Sequence, residues 1–445
     1  MNCSVQCVKG SALIPRLLVL LALPAATLAW AQPSEPTANA EAAASEPMQP
    51  AISLGLSSPL GPPTDAFNDT RTQGYVLGSL RYVPDVNAAY FYETNPLKTS
   101  ANAPGDAALA TYATVTVRDA GSGPRKFFAG VAQTRWNSVS LSADPRRRVT
   151  FEDRYRLGDW QVPVRLGYNF DTVSRSSFLA RQVNSELKST QYTGSVAAIR
   201  NLDTRQLALT LQAENVAIGS AVKADGTAFV SSNSYVKSLA RIKGTQALSE
   251  TAGLYLQAEL ENYNYSATGV DYDINPTSRV MTGLFGVQQQ FSSAFGFSAD
   301  VGVANKSSGR RDLVPGARHS VGSVNGSFNP SPATRAYVAY VVAVAELNDS
   351  GISNLLTNTW AVGWSHKLSP SMATNLTYDR TKIMANEAPG NVVDSKFFVT
   401  LQYKPSPSVL ASFAISRTQR QVVNLTDFVR PFVNTRYLIN LTYYL

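Results

Sequence analysis

Two histidines, His319 and His366, are the whole imidazole supply of this 445-residue chain. Neither belongs to an H-E-x-x-H pairing, which would set two ligands on one helical face, and no second ligand set accompanies either. His319 is followed by Ser320, yet no G-x-S-x-G elbow is present to expose a serine nucleophile. Phosphate-cradling G-x-G-x-x-G and G-x-x-x-x-G-K-[ST] patterns are absent. The expectation is therefore a protein with no catalytic residue, no metal, no cofactor and no nucleic-acid partner. What remains for chemistry is charge, and charge acts only where a fold places it.

The composition is 44% hydrophobic and 16% charged, with 39 Lys+Arg against 31 Asp+Glu. A disordered polymer or a nucleic-acid tail needs denser charge and fewer apolar residues. Lys9 and Arg16 precede the apolar run Leu17 to Leu28, which ends in Ala29-Trp30-Ala31 before Gln32. That is the order of a secretory signal peptide, and the run is shorter than the roughly 20 residues a spanning helix needs. Residues 1–31 are read as a signal cleaved near Ala31, which removes both cysteines, Cys3 and Cys7, and with them any disulfide or thiolate site. Residues 32–74 begin with the Pro/Ala/Glu stretch Gln32 to Pro50 and read as a flexible periplasmic lead-in.

The remainder alternates with period two. Leu207, Leu209 and Leu211 alternate with Ala208, Thr210 and Gln212; Leu254, Leu256 and Leu260 fall on one face, and Tyr255, Gln257, Glu259 and Glu261 on the other. Such segments are strands with one apolar and one polar face. Turn signals at Gly121-Ser122-Gly123, Gly158-Asp159, Asn201-Leu202-Asp203, Leu248-Ser249-Glu250, Ser292-Ser293, Asn329-Pro330-Ser331-Pro332, Ser369-Pro370-Ser371 and Pro405-Ser406-Pro407 recur about every 40 residues. Each interval holds two strands of about 11 residues, one short turn and one longer polar loop, such as Lys306 to Gly316, Ala385 to Asn391 or Gln419 to Val433. Short turns at one end, long loops at the other and closure of every backbone group within the sheet define an outer-membrane β-barrel. Eight turns predict an all-β, antiparallel transmembrane barrel of 18 strands over residues 86–445, with 16 or 20 left open. Residues 75–85 read as an extended segment: an additional strand, an inner plug or a periplasmic lead.

The last strand carries an insertion signal. Tyr437, Ile439, Leu441, Tyr443 and Leu445 point one way, against Arg436, Leu438, Asn440, Thr442 and Tyr444. This resembles the C-terminal signal by which bacterial barrels are recognised by the barrel-assembly machinery, with Leu where Phe is usual. The register predicts that Arg154, Arg156, Arg165, Asp171, Glu214, Glu259, Glu261, Asp300, Asp379, Lys396, Lys404 and Arg436 line the lumen. They would either hydrate a path for a polar solute or hold the wall in shape as ion pairs. Arg146-Arg147-Arg148 and Arg310-Arg311 fall in or beside long loops, where they would draw anionic solutes or meet lipopolysaccharide phosphates, or stay simply solvated.

Near the start of the barrel the chain reads Pro84-Asp85-Val86-Asn87-Ala88-Ala89-Tyr90-Phe91-Tyr92-Glu93-Thr94-Asn95-Pro96-Leu97. This resembles the opening of the β-barrel porin-2 family, outer-membrane proteins often associated with exopolysaccharide clusters. Tyr92, Glu93 and Asn95 carry the likeness, with Thr94 where a second acidic residue is common. The resemblance implies export of an exopolysaccharide or capsular polysaccharide, with polysaccharide export proteins, the polymer and outer-membrane lipids as partners. A diffusion porin for small polar solutes is the alternative, and no long loop plainly shows the clustered acids and arginines of a porin constriction. Either function places the protein in the outer membrane of a Gram-negative bacterium.

Overall fold

Proline begins three of the two-residue turns, at Pro332, Pro370 and Pro407. Its fixed negative φ excludes the primed turns that match the twist of a hairpin, so each of these hairpins needs another device. The computed structural model shows it: the ladder slips by one residue beside each turn, between Phe328 and Ser331, Lys367 and Ser369, and Tyr403 and Ser406. Such a bulge restores the twist. In two of the three the skipped stretch contains Pro330 or Pro405, which have no N–H to give the ladder. Elsewhere a positive φ does the work, at Gly158 (59°) and at Asp203 (42°).

The structure describes residues 74–445 apart from 96–104, 121–123, 138–145, 173–187, 220, 223–227, 230–233, 266–276, 310–315, 346–354, 386–389 and 424–430. The signal segment, almost all of the lead-in, the Gly121-Ser122-Gly123 turn and Arg310-Arg311 lie outside the described residues.

Eighteen antiparallel strands close into a ring. They are β1 (Leu80–Glu93), β2 (Asp106–Asp119), β3 (Lys126–Trp136), β4 (Arg146–Leu157), β5 (Trp160–Thr172), β6 (Lys188–Leu202), β7 (Arg205–Ile218), β8 (Tyr235–Ala247) and β9 (Ala252–Tyr265). The second half continues with β10 (Ser278–Gln290), β11 (Phe295–Ser308), β12 (Ala317–Ser331), β13 (Thr334–Ala345), β14 (Leu355–Ser369), β15 (Met372–Ala385), β16 (Asn391–Ser406), β17 (Val409–Val423) and β18 (Phe432–Tyr444). Each strand pairs with its sequence neighbours, and β1 pairs with β18 from Asp85↔Tyr444 to Glu93↔Arg436 to shut the seam. A separate two-stranded pair joins Ala221–Val222 to Ala228–Phe229 in the connection after β7.

The first strand starts at Leu80, so the boundary expected at Val86 falls inside it. Pro84 reads as a break in the sequence, but the strand tolerates it for a local reason. Below Pro84 the strand's neighbour on that side is the short arm Tyr75–Leu77, folded back on Leu80–Tyr82; above it the neighbour is β18. Pro84 sits at the changeover, where its carbonyl accepts from Leu445 N at 3.1 Å, and the N–H it lacks costs the ladder a single bond at the junction between two neighbours. The segment read as strand, plug or lead is thus partly barrel strand and partly this arm.

The outer wall is apolar. Leu209, Leu211, Leu256, Val301, Ile439 and Leu441 all lie on it and all are exposed. A wall of this kind is stable only against lipid.

Candidate functional site

Residues facing one another across a ladder lie on the same side of the sheet, so the pairing fixes which side chains enter the ring. Following the ladders from Glu93 round to Arg436 places all twelve of the charged residues named from the sequence on the inner face. Tyr437, Ile439, Leu441, Tyr443 and Leu445 alternate out of the ring, each close to half exposed or more.

The inner charges are mostly paired with neighbours along the wall. On β8 and β9, Lys237 meets Glu261 at 2.9 Å and Arg241 meets Glu259 at 2.5 Å. Glu214 on β7 lies directly across from Lys237 and accepts from Tyr235 Oη (2.9 Å) and Gln191 Nε2 (3.1 Å). Arg146 binds Asp171 and Arg165 binds Glu152, both at 2.9 Å. Arg420 grips Asp394 with two nitrogens at 2.7 Å, the bidentate geometry in which guanidinium suits carboxylate. Asp379 and Lys396 are direct cross-strand partners. Arg154 and Arg156 are exposed, Arg156 donating to Gly158 O at 3.3 Å, and Lys404 stands 5.9 Å from the Tyr444 ring.

Two tyrosines lie down rather than stand up. Tyr255 crosses the site where Gly286 would carry a Cβ, donates to Asp300 at 2.7 Å and has Lys243 Nζ 4.1 Å from its ring. Ser323 Oγ donates to the same carboxylate oxygen at 2.8 Å. Tyr337 covers Gly363 in the same way. Glycine opposite a tyrosine lets the ring rest on the backbone, which keeps it out of the bore.

The seam is built differently. Its inner face is apolar: Ala89, Phe91, Ala108, Ala110, Tyr112, Ala414 and Leu438 are buried together, with Trp136 edge-on to Phe91 at 5.3 Å between centroids. One ion pair, Glu93 with Arg436, is set in this patch, with the guanidinium 4.8 Å from the Phe91 ring. Asn434 Nδ2 donates to Glu93 at 2.7 Å, and its Oδ1 accepts from Asn95 N at 3.0 Å. Thr94 N donates to Thr435 O at 3.0 Å, and Thr435 N to Thr94 Oγ1 at 2.9 Å. Lower down, Asn87 Nδ2 donates to Thr442 Oγ1 at 2.7 Å. Glu93, Thr94 and Asn95, which stand in or beside the likeness to the exopolysaccharide-associated family, therefore clasp the last strand, and Tyr92 faces out.

Reading the sequence alone misses Lys237, Arg241, Glu152, Asp394 and Arg420, which belong to four of these ion pairs, and Lys243 over the Tyr255 ring. The segment 235–247 lacks a clean apolar face, because Ser238, Ala240 and Gly244 stand among its outward residues. The ladder sets Lys237 opposite Glu214, and counting by two from Lys237 reaches Arg241 and Lys243. Arg146, Arg147 and Arg148, expected in or beside a long loop, are the first three residues of β4; Arg146 and Arg148 face in and Arg147 faces out.

A closed ring, apolar outside and lined by charged and polar groups inside, is the build of a porin-type outer-membrane barrel. No family model matches the chain, and no curated protein matches it. Among solved structures it is similar to the outer membrane protein opdK from Pseudomonas aeruginosa, with 12% identity, 82% of this chain and 99% of that one covered, and a TM-score of 0.44. Acinetobacter baumannii OccAB4 is similar at 10% identity, with 84% and 100% covered and a TM-score of 0.44. The FrpB iron transporter from Neisseria meningitidis is similar at 8% identity, with 82% and 81% covered and a TM-score of 0.45. Likenesses of this size add nothing to the function of this chain, which rests on its own walls.

Proposed function

We propose that the protein is an outer-membrane diffusion channel for small polar solutes, passing anions ahead of cations. The observation that carries this is the inner wall: its acids are answered by basic side chains on neighbouring strands, while Arg154 and Arg156 remain exposed on the same face. A lumen so lined is hydrated and of positive balance, which raises the local concentration of anions. The flat tyrosines over Gly286 and Gly363 favour passage over closure. Export of a polysaccharide rests on Tyr92, Glu93 and Asn95, and Glu93 and Asn95 are occupied in holding the seam.

Reconstitution in planar bilayers under a potassium chloride gradient tests the proposal. Stable conductance steps with a reversal potential on the anion side are expected. A deletion strain supplies the second arm: slower uptake of small anionic solutes with unchanged surface polymer is the expected outcome. A silent bilayer together with lost surface polymer overturns the channel in favour of export.

A further inference from the structure

The outer wall carries charge as well, and its distribution is lopsided. On the half nearer the long loops, the ladders place Arg135, Arg147, Arg279, Arg318, Arg380, Lys382 and Arg417 outward, and every one is exposed. Among the described strand residues, no Asp or Glu faces outward on that half. On the half nearer the short turns the outward charges are of both signs and partly paired, as in Arg200 with Asp159 (3.2 Å) and Arg125 with Asp153 (3.7 Å). Long loops mark the cell-surface side of such a barrel, so the basic half lies in the outer leaflet.

The densest part spans β15 to β17. Arg417 is level with Phe397 and Tyr378 across the ladders, and Arg380 is level with Ser395 and Gln419 one step toward the loops. Lys382 stands one step further along β15. Neighbouring strands are about 4.8 Å apart, so three cations fall within roughly 10 Å laterally. Phe397, beside Arg417 and beneath the other two cations, and Leu401 and Phe413 lower on the wall are exposed, each above a third. Cations immediately above an apolar wall match a molecule with anionic head and acyl chains.

We infer that β15 to β17 form a docking surface for a phosphorylated glycolipid of the outer leaflet, with Arg380, Lys382 and Arg417 holding phosphate and the apolar residues below them holding acyl chains. Arginine suits this role because its planar donors meet phosphate oxygens in pairs. Ser395 and Gln419, between the cations, add neutral donors for the sugar. A free anion would satisfy the cations but leaves the apolar step unused, which is why a lipid is the occupant. The inference needs the wall to face lipid and does not need the lumen to conduct.

Native mass spectrometry of the detergent-purified protein tests it, with bis-phosphorylated lipid A, dephosphorylated lipid A and phosphatidylglycerol offered separately. The wild-type protein should retain the first far better than the other two. The triple variant R380Q/K382Q/R417Q should lose at least about tenfold of that retention, in keeping with removal of charge-assisted bonds, while R205Q, on the opposite rim, should keep it. Equal retention of the dephosphorylated lipid, or of phosphatidylglycerol, by the wild-type protein overturns the inference even if the triple variant does not fold. So does a heat-modifiable, folded triple variant that retains lipid A like the wild type. Single-channel conductance is read on the same samples, so failure of the channel proposal is seen separately.

Discussion

The closing seam and the arc from β7 to β11 lie half a turn apart on one ring, and both bury ion pairs on the inner face. At the seam a single pair, Glu93 with Arg436, sits among Phe91, Trp136 and Leu438. On the arc Lys237 stands between Glu214 and Glu261, and Arg241 is two steps along from Lys237 on the same face. The exposures are similar, with Arg436 at 18% and Arg241 at 13%, so burial does not separate the two regions. Redundancy does. A charge removed from the arc leaves other charges of the needed sign nearby; a charge removed from the seam leaves its partner in an apolar patch. The seam fixes one register, and the arc offers a surface along which an ion can exchange partners.

The largest effect should come from breaking the seam. Glu93→Ala or Arg436→Ala strands a buried charge and should cost about 3–5 kcal/mol, read as a fall in the urea midpoint of barrel refolded in vesicles. The double change E93L/R436L should recover most of that loss, because a buried pair replaced by apolar groups is often neutral. Wild-type midpoints in both single variants would refute the contrast.

On the arc the expected loss is smaller. Glu259→Gln should cost about 1.5–3 kcal/mol, the worth of a hydrogen bond to a charged group. It should also move the reversal potential further toward anions, since a carboxylate has left the lumen and Arg241 remains. A shift toward cations would contradict the assignment of this face to the permeation path. Gly286→Val should leave the midpoint nearly where it was and lower single-channel conductance, because Tyr255 can no longer lie on the backbone. The smallest change belongs to the rim: Asp159→Asn, which breaks the exposed pair with Arg200, should alter stability by about 0–1 kcal/mol, within the scatter of the urea titration.

Much of this ring could be read from period-two alternation and turn spacing, because a lipid-facing wall forces apolar residues onto every second position. The strand number followed from the turns at Gly158-Asp159, Leu248-Ser249 and Pro405-Ser406, each of which ends a hairpin. The start of β1 was not legible: Pro84 breaks a strand in general and is tolerated here because the strand changes neighbour at that residue, from the arm Tyr75–Leu77 to β18. The pairing inside the lumen was half legible. Glu259 and Glu261 alternate with the leucines of a clean apolar face, whereas Arg241 lies in a segment where Ser238, Ala240 and Gly244 interrupt the outward Val236 and Ile242. Nor does local sequence reveal that Glu93 and Asn95 meet Asn434, since that contact joins opposite ends of the barrel domain.

The tyrosines laid over Gly286 and Gly363 have a consequence for how such a barrel can vary over generations. A glycine codon lies a single base change from alanine and from valine, and either would press a ring off the backbone toward the axis. The bore is therefore adjustable by one nucleotide, at positions whose side chains never meet lipid. Calibre can drift while the outward pattern that assembles the barrel stays as it is, and the two properties are inherited separately.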